Sequence, residues 1–526
     1  MNIIKKIGTA ALCVTLTAVS MTSCKDSGFL DINYNPNYPS DASAKYLVAA
    51  AEASTVSIMG YQAAIAGDMW CQYTTQGNTT NQYNAVCTYA TTTSTTYPPV
   101  TPMWQNSYAN ALEDLKLAIA DAEEKEQWNW WLMAKVLTAY HYLMLTDSYG
   151  DIPFTEALDA SNPNPKFDDS KSVVYPGILA ILDEAIAKGN EAEESDATSP
   201  VANYDCFFGG DISKWVAFAK SLKLKMYLKD YSANASAIAS LLSSGGLLEE
   251  DCAWTAWEDA TNKSNPLYEM NIRQLNTTEN LRACQTFFDY MLQNNDPRIA
   301  FIYEPTTIAP EVQVTDDGWY TNLGDCFEAL PYGGEKVPDA TVAPIKMTSR
   351  FRQSYNDPVY LMNAAECELM IAEAYARAGN KAQAKAYYEK AIQAGFDRWG
   401  LKNAESFISG VYAFDESNML KSIGMQYWIT YAGANAYDGW QTRNRLGIPE
   451  LQADIMVRAN NQALERGFSN GYVPGSLVDP TASTLNGGEY PTRLLYPTVT
   501  TLYNLSADQY VKDNGNSQTK KLWWQK

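Results

Sequence analysis

Apolar residues recur at spacings of three and four in at least four stretches of the chain, the period of an α-helix with one buried face. The clearest is AAECELMIAEAYARAGNKAQAKAYYEKAIQAGF, residues 364–396. Cys367, Ile371, Ala374, Tyr375 and Ala378 fall on one face, Gly379-Asn380 interrupts, and Ala384, Tyr388 and Ala391 fall on a second. This pattern predicts a helical hairpin. Small residues at Ala372, Ala384 and Ala391, with Tyr375, Gly379 and Tyr388 between them, stand at tetratricopeptide spacing, where small side chains let paired helices approach closely. Glu368 and Phe396 depart from that repeat, at positions usually held by Trp and Pro. One hairpin cannot bury its own apolar face, so others must stack on it. Residues 104–124 with 130–145, and 175–187 with 214–229, predict two more pairs. In the last of these, Trp215, Phe218, Leu222 and Met226 share a face that most of the lysines avoid.

Around these helices run polar stretches at 71–103, 190–212, 250–350 and 466–526, rich in Asn, Thr, Gly, Pro and aromatics. They are longer than connection requires, and loops carried on a rigid scaffold are where binding residues usually sit.

The N-terminus has a different pattern. Lys5 and Lys6 precede an apolar run over residues 7–19, too short to span a bilayer but of the length of an export signal. Thr22 and Ser23 are small, and Cys24 follows. That order is the lipoprotein form of such a signal, in which the cysteine thiol is acylated and becomes the new N-terminus. Residues 1–23 are therefore expected to be removed. Several acyl chains on one cysteine would give stable attachment, at about 0.8 kcal/mol per buried methylene. No later apolar run is long enough to cross a bilayer.

Composition narrows the function classes. A formal charge of −21 repels phosphate backbones and anionic headgroups, so nucleic acid is not an expected partner. The single histidine, His141, lies on an apolar helical stretch, a setting for a core residue rather than for histidine-based zinc sites or Ser-His-Asp and Cys-His catalysis. Of the nine cysteines, seven remain once Cys13 and Cys24 are set aside, an odd number without a CxxC. Cys71 and Cys87 bracket a polar loop and are close enough in sequence to form a bridge; the others read as small buried apolar residues.

At DSYGDIPFTEAL, residues 147–158, the chain resembles the SusD/RagB family of surface nutrient-binding lipoproteins. Further stretches follow in that family's order: LDINYNPN at 30–37, the helix beginning at Trp215, AEAYARAGN at 372–380, MQYWITYAGANAYDGWQTRNRLGIPEL at 425–451 and YPTRLLYP at 490–497. The family often has Gln-Lys-Trp and a double arginine where this chain has Gln426-Tyr427-Trp428 and Asn444-Arg445. The resemblance implies a mainly α fold, a tetratricopeptide-like helical-hairpin scaffold with an irregular loop-rich binding face. After the signal, 24–526 is then one SusD-like domain, its scaffold mainly at 40–230 and 355–400 and its loop-rich regions at 68–103, 232–355 and 400–526. The resemblance further implies an outer-membrane, surface-exposed lipoprotein anchored through Cys24, without catalysis, cofactor or metal. Such proteins capture oligosaccharides, or in some branches peptides, and act as a hinged lid on a SusC-like TonB-dependent transporter.

Sugar rings stack their C–H faces on aromatic rings while their hydroxyls bond amides and carboxylates, so a glycan site mixes Trp and Tyr with Asn, Gln and Asp. Residues 68–89, DMWCQYTTQGNTTNQYNAVCTY, have that mixture, which makes Trp70, Tyr73, Gln82 and Tyr83 the first ligand-binding candidates. In DDGWYTNLGD the adjacent Trp319 and Tyr320 cannot both face a core from an extended strand, so they are the second. Trp104, Trp128, Trp130 and Trp131 begin or flank helices and read as packing residues, while Trp523 and Trp524 either pack back or meet the barrel. Two rival classes stand beside this reading. A glycosidase needs only two carboxylates and the chain has 60 acidic residues, but no motif sets two together. A surface adhesin fits the size and the loops but not the whole-length resemblance.

Overall fold

Helices form where the three-and-four pattern meets a residue able to cap it. The computed structural model describes residues 42–77, 82–93, 102–196, 201, 203–277, 280–306, 326–333, 348–452, 472–480 and 483–526. The chain divides into two units, Met1–Ser43 and Ala44–Lys526, and the elements named here belong to the second. The expected export signal, Cys24, Trp319 and Tyr320 lie outside the described residues.

The opening helix α1 (Ala44–Ser57) continues through a π-helical turn, Ile58–Ala63, into α2 (Ala64–Trp70), and then the short strand β1 (Thr74–Gln76). The two expected N-terminal pairs follow: α3 (Glu113–Glu124) packs on α4 (Trp128–Tyr149), and α5 (Tyr175–Ala187) packs on both α4 and α6 (Ile212–Lys229). Asp211 starts α6 by accepting from Lys214 N at 3.3 Å. Almost every residue of α4 is buried, because helices cover it on several sides. His141 is among them. Its Nε2 lies 2.8 Å from Thr55 Oγ1, and burial holds its pKa down at about 3, so the ring is neutral and structural. Trp104, Trp130 and Trp131 are buried as packing residues, and Trp128 lies beneath the Lys188 ammonium at 3.9 Å.

The predicted hairpin is α7 (Ala364–Arg377) and α8 (Lys381–Asp397), preceded by strand β4 (Val359–Met362). Asn363 and Glu366 form a reciprocal capping box at the start of α7. Gly379, at φ +76°, and Asn380, which accepts from Gln383 N at 3.2 Å, turn the chain into α8. Ala372, Ala384, Tyr388 and Ala391 are buried as the small-residue spacing requires. The buried face of α7 is broader than its apolar stripe, however. Glu366, Leu369, Met370 and Glu373 are buried, Ile371 and Tyr375 only half so, and Ala378 is exposed, because α7 is covered by α9 (Met419–Tyr431) as well as by α8. Helix α9 packs on α10 (Ala436–Leu446), and α10 returns to α2. Both helices lie within 400–526, a stretch with more regular structure than its polar composition suggests.

The buried charges of these helices are matched to one another. Lys225 Nζ lies 2.6 Å from Glu366 and 2.7 Å from Asp438, Lys229 pairs with Asp147, and Arg445 forms a two-pronged pair with Glu373. These contacts tie α6 to α7, α10 and α4. Such buried pairs add little net stability, because desolvation offsets their attraction, but losing one partner leaves a costly buried charge. The C-terminus packs back: the Lys229 ammonium lies 3.7 Å over the Trp524 ring, and the Trp523 ring meets Tyr175 edge-on at 5.0 Å. Sheet structure among the described residues is three two-stranded pairs. They include β1 with β3 (Leu281–Ala283), and β2 (Cys252–Trp254) with β4, both antiparallel. Cys71 and Cys87 are free and buried, so no bridge joins them. Among the described residues no helix is long and apolar enough to cross a membrane.

Candidate functional site

A cleft of about 740 Å3 lies between the C-terminal end of α1 and the segment that leaves β2. One wall is Val56, Ser57, Tyr61 and Gln62, from α1 and its π-helical turn. The other is Trp254, Trp257 and Asn262, from the end of β2 and the loop beyond it, with Met270 and Gln274 behind. Local bonding makes that loop a firm support. Glu258 N donates to Lys263 O at 2.8 Å and Lys263 N to Ala260 O at 3.0 Å. Asn265 then accepts from Leu267 N and Tyr268 N, capping the next turn, and donates to Asp357 O.

Two tryptophans project from this support. Their ring centroids are 5.7 Å apart with planes inclined by 34°, and both are half-buried, so each keeps part of a face toward the cleft. The Trp254 indole N–H donates to Ala256 O at 3.3 Å. Two carboxylates also border the cleft. Glu258 pairs with Lys263 at 2.8 Å, and Glu269 accepts from Ser264 Oγ at 2.6 Å and lies 3.1 Å from Arg273 Nε. The result is a surface of aromatic faces and amides whose acids are already paired. Among the described residues no three His, Cys, Asp or Glu side chains converge as a metal-binding group.

Of the four described residues expected to bind ligand, Trp70, Tyr73, Gln82 and Tyr83, only Gln82 lines this cleft. Trp70, Tyr73 and Tyr83 each have 0% exposure and so no ring face open to a sugar. Trp70 packs on Trp440 at 4.6 Å and donates its N–H to Val86 O at 3.1 Å. The Tyr73 hydroxyl donates to Trp428 O at 2.7 Å, and its ring meets Phe287 edge-on at 5.0 Å. Burying these rings ought to strand their polar neighbours, but the fold satisfies those neighbours instead. Thr74–Gln76 pair with Leu281–Ala283, Gln72 exchanges side-chain bonds with both Val478 backbone groups, and Gln76 Oε1 accepts from Tyr83 N at 2.6 Å. Trp254 and Trp257 are not among the expected residues, although AWTAWEDATNKSN carries the same signal, aromatics set among acids and amides in a long polar stretch.

Comparison with known proteins agrees with this architecture. Residues 36–469 match the model of a SusD-like family described as starch-binding and associating with the outer membrane. The chain belongs to the SusD-like family. A Bacteroidetes SusD-like structure superposes with TM-score 0.72 at 20% identity, covering 92% of this chain and 100% of that one. A chitin-binding SusD homologue from Flavobacterium johnsoniae gives TM-score 0.70 at 16% identity, over 91% and 98% of the two chains. Another chitin-binding protein gives 0.69 at 21%, over 92% and 100%. At these identities the likeness is one of fold, and it assigns this SusD-like chain the helical-hairpin scaffold of the family. No curated protein matches the sequence.

Proposed function

We propose that this SusD-like protein captures oligosaccharides in the cleft between Tyr61 and the Trp254–Trp257 pair and delivers them, as a lid, to a SusC-like TonB-dependent transporter. It would be held at the outer-membrane surface by the lipid on Cys24. The observation that carries the binding role is the tryptophan pair: two inclined, half-buried rings in a cleft large enough for several sugar units, bordered by Gln82, Asn262 and Gln274. Stacking on such rings is worth on the order of 1 kcal/mol each beyond area burial. A binding role rather than hydrolysis is supported by the paired state of Glu258 and Glu269. A glycosidase needs one carboxyl kept protonated and a second at a defined distance from it. The starch- and chitin-binding descriptions of the family and of its structural neighbours point to the same ligand class.

Calorimetric titration of the full chain with malto- and chito-oligosaccharides tests the assignment. Trp254→Ala and Trp257→Ala should each weaken binding roughly fivefold to tenfold with an unchanged melting curve. Oligosaccharide affinity that survives both substitutions removes the cleft from the function. Tight binding of peptides but of neither glycan series would move the chain to the peptide-capturing branch.

A further inference from the structure

A second, smaller chamber, of about 110 Å3, uses the same π-helical turn through Met59 and Gly60. Its rim is open: Arg352 is exposed, and Asp357 and Trp399 are half-buried. Its floor is closed, and includes Asp68 of α2 beside Asn435. Aromatic rings form the walls, with Phe301 and Trp399 stacked at 5.4 Å and 24°, and Tyr360 nearby.

Asp68 is the unusual group. The other described buried acids are each held by a donor: Glu52 by Cys206 N, Asp205 by the Trp215 indole, Asp296 by Arg298, Glu366 by Lys225, Glu373 by Arg445. Asp147, Asp168, Glu269, Asp438 and Asp479 are held likewise. Asp68, only 4% exposed, has neither a hydrogen bond nor an ion pair from its carboxyl to any described residue. A buried carboxyl without a partner is costly, and native folds rarely keep one that does no work.

We propose that this chamber is a site for a primary ammonium group, with Asp68 as its counter-ion and the Phe301–Trp399 stack and Tyr360 as its walls. The chemistry selects that class. An unpaired acid behind aromatic rings suits an organic cation, which gains from both the carboxylate and the ring faces. The charged residues lining the chamber are Asp68 and Asp357 against Arg352, which also donates to Ala300 O at 3.1 Å. A second guanidinium, Arg398, lies 5.3 Å over the Tyr360 ring and gives its own N–H to Thr430 O, leaving the Phe301–Trp399 stack as the wall for a ligand cation. Ca2+ or Mg2+ would need six or more oxygen ligands and Zn2+ three or four protein ligands, and no three acidic, His or Cys side chains converge among the described residues. The site is separate from the oligosaccharide cleft and does not rest on the reading of that cleft.

The pH dependence follows from the same residues. Burial pushes the Asp68 carboxyl up to about 8. The titratable groups whose charges reach it, Cys71, Tyr73 and Tyr303, are themselves pushed up and neutral, and Arg352 and Asp357 stand at the rim. An ammonium group binds the ionised carboxyl, so affinity rises as pH climbs toward 8, and binding at pH 7 releases a proton.

An ammonium group reaches a cell surface on an amino sugar or on the N-terminus of a peptide. Glucosamine and alanine amide serve as probes, with their N-acetyl derivatives as neutral counterparts, each titrated at pH 7 into the full chain. At least one probe should bind, its acetylated form should be at least tenfold weaker, and Asp68→Asn should lose at least tenfold while still binding oligosaccharide. Which probe binds identifies the source. Trp399→Leu, at the rim, should weaken the same probe severalfold whether or not Asp68→Asn folds, and Trp257→Ala should leave it unchanged. Failure of both probes to bind the folded wild-type chain overturns the proposal. So does equal affinity for the acetylated forms, or an affinity indifferent to Asp68→Asn and Trp399→Leu.

Discussion

Trp70 and Trp257 are the same residue type in two different physical situations. Trp70 is enclosed, edge-on to Trp440, with its N–H given to Val86 O and its own carbonyl accepting from the Tyr490 hydroxyl. Removing it leaves a cavity that helices α2 and α10 cannot close without separating. Trp70→Ala should therefore cost about 3–5 kcal/mol in denaturant unfolding, with sugar affinity of the remaining folded fraction little changed. Trp257→Ala removes only a half-solvated ring and should show the reverse, lost affinity and a retained midpoint. A Trp70→Ala variant as stable as wild type would mean that its enclosure is not a core contact. Similar surroundings in sequence do not distinguish the two residues, since each stands among Thr, Asn, Asp or Gln. What separates them is whether a partner strand or helix takes up those polar neighbours.

Among the elements, α2 and α10 approach closely at a glycine. A Cβ built on Gly67 would lie 2.1 Å from the Ala436 carbonyl carbon and 2.3 Å from Tyr437 N, both backbone atoms that no rotamer can move aside. Gly67→Ala must push the two helices apart. Its cost should reach at least the 1–3 kcal/mol typical of overpacking, read as a lowered melting temperature. The shift should also disturb Asp68, the next residue, so probe binding in the aromatic chamber should weaken with it. A Gly67→Ala protein with wild-type melting would show that the helices are not in contact. The helices themselves were legible from spacing and caps: the 364–396 hairpin, its Gly379-Asn380 turn and the paired helices before it all stand where the apolar period places them. The burial of α4 on nearly every side and the two-sided burial of α7 were not, because a stripe records one neighbour and these helices have several.

For the whole molecule, buried acids set the response to pH. Glu52 is pushed up by burial and then by the nearby Asp205 charge, and Asp68 is pushed up to about 8 by burial alone. Their folded pKa values lie above their unfolded ones, so the folded state holds protons that the unfolded state releases. That stability is fully present below the ordinary carboxylate range and is lost as pH rises through it toward 8. Two groups act in the opposite sense: despite burial, Arg445 and then Arg377 hold the Glu373 pKa down, and burial holds His141 down at about 3, so both contributions are lost on acidification. That of His141 is lost as pH falls through the ordinary histidine range, against the larger change from Asp68 and Glu52. The melting temperature should accordingly be higher near pH 5.5 than near pH 8, and Asp68→Asn should flatten the slope. A melting temperature that rises steadily to pH 8 contradicts this. Attachment is tested at the same scale. Cys24→Ala should release the folded chain from the outer membrane, and gentle detergent extraction of the wild type should recover a SusC-like barrel with it. Retention of Cys24→Ala at wild-type levels, or recovery of the wild-type chain alone, would count against the anchored lid.

The helical scaffold, the hairpin at 364–396, the structural role of His141 and the family are all legible in the order of residues alone. Each of these rests on local periodicity, on capping residues or on short motifs that a chain carries whatever packs against it. The cleft was decided by tertiary structure. Gln82 reaches it, while Trp70, Tyr73 and Tyr83 are drawn into the core, and Trp254 and Trp257 are turned toward α1 by the pairing of β2 with β4. The solitary state of Asp68 was decided in the same way. A carboxylate in a sequence carries no mark of whether a distant lysine, arginine or amide will fold onto it. Only the assembled helices supply partners to the other buried acids described and withhold one from Asp68.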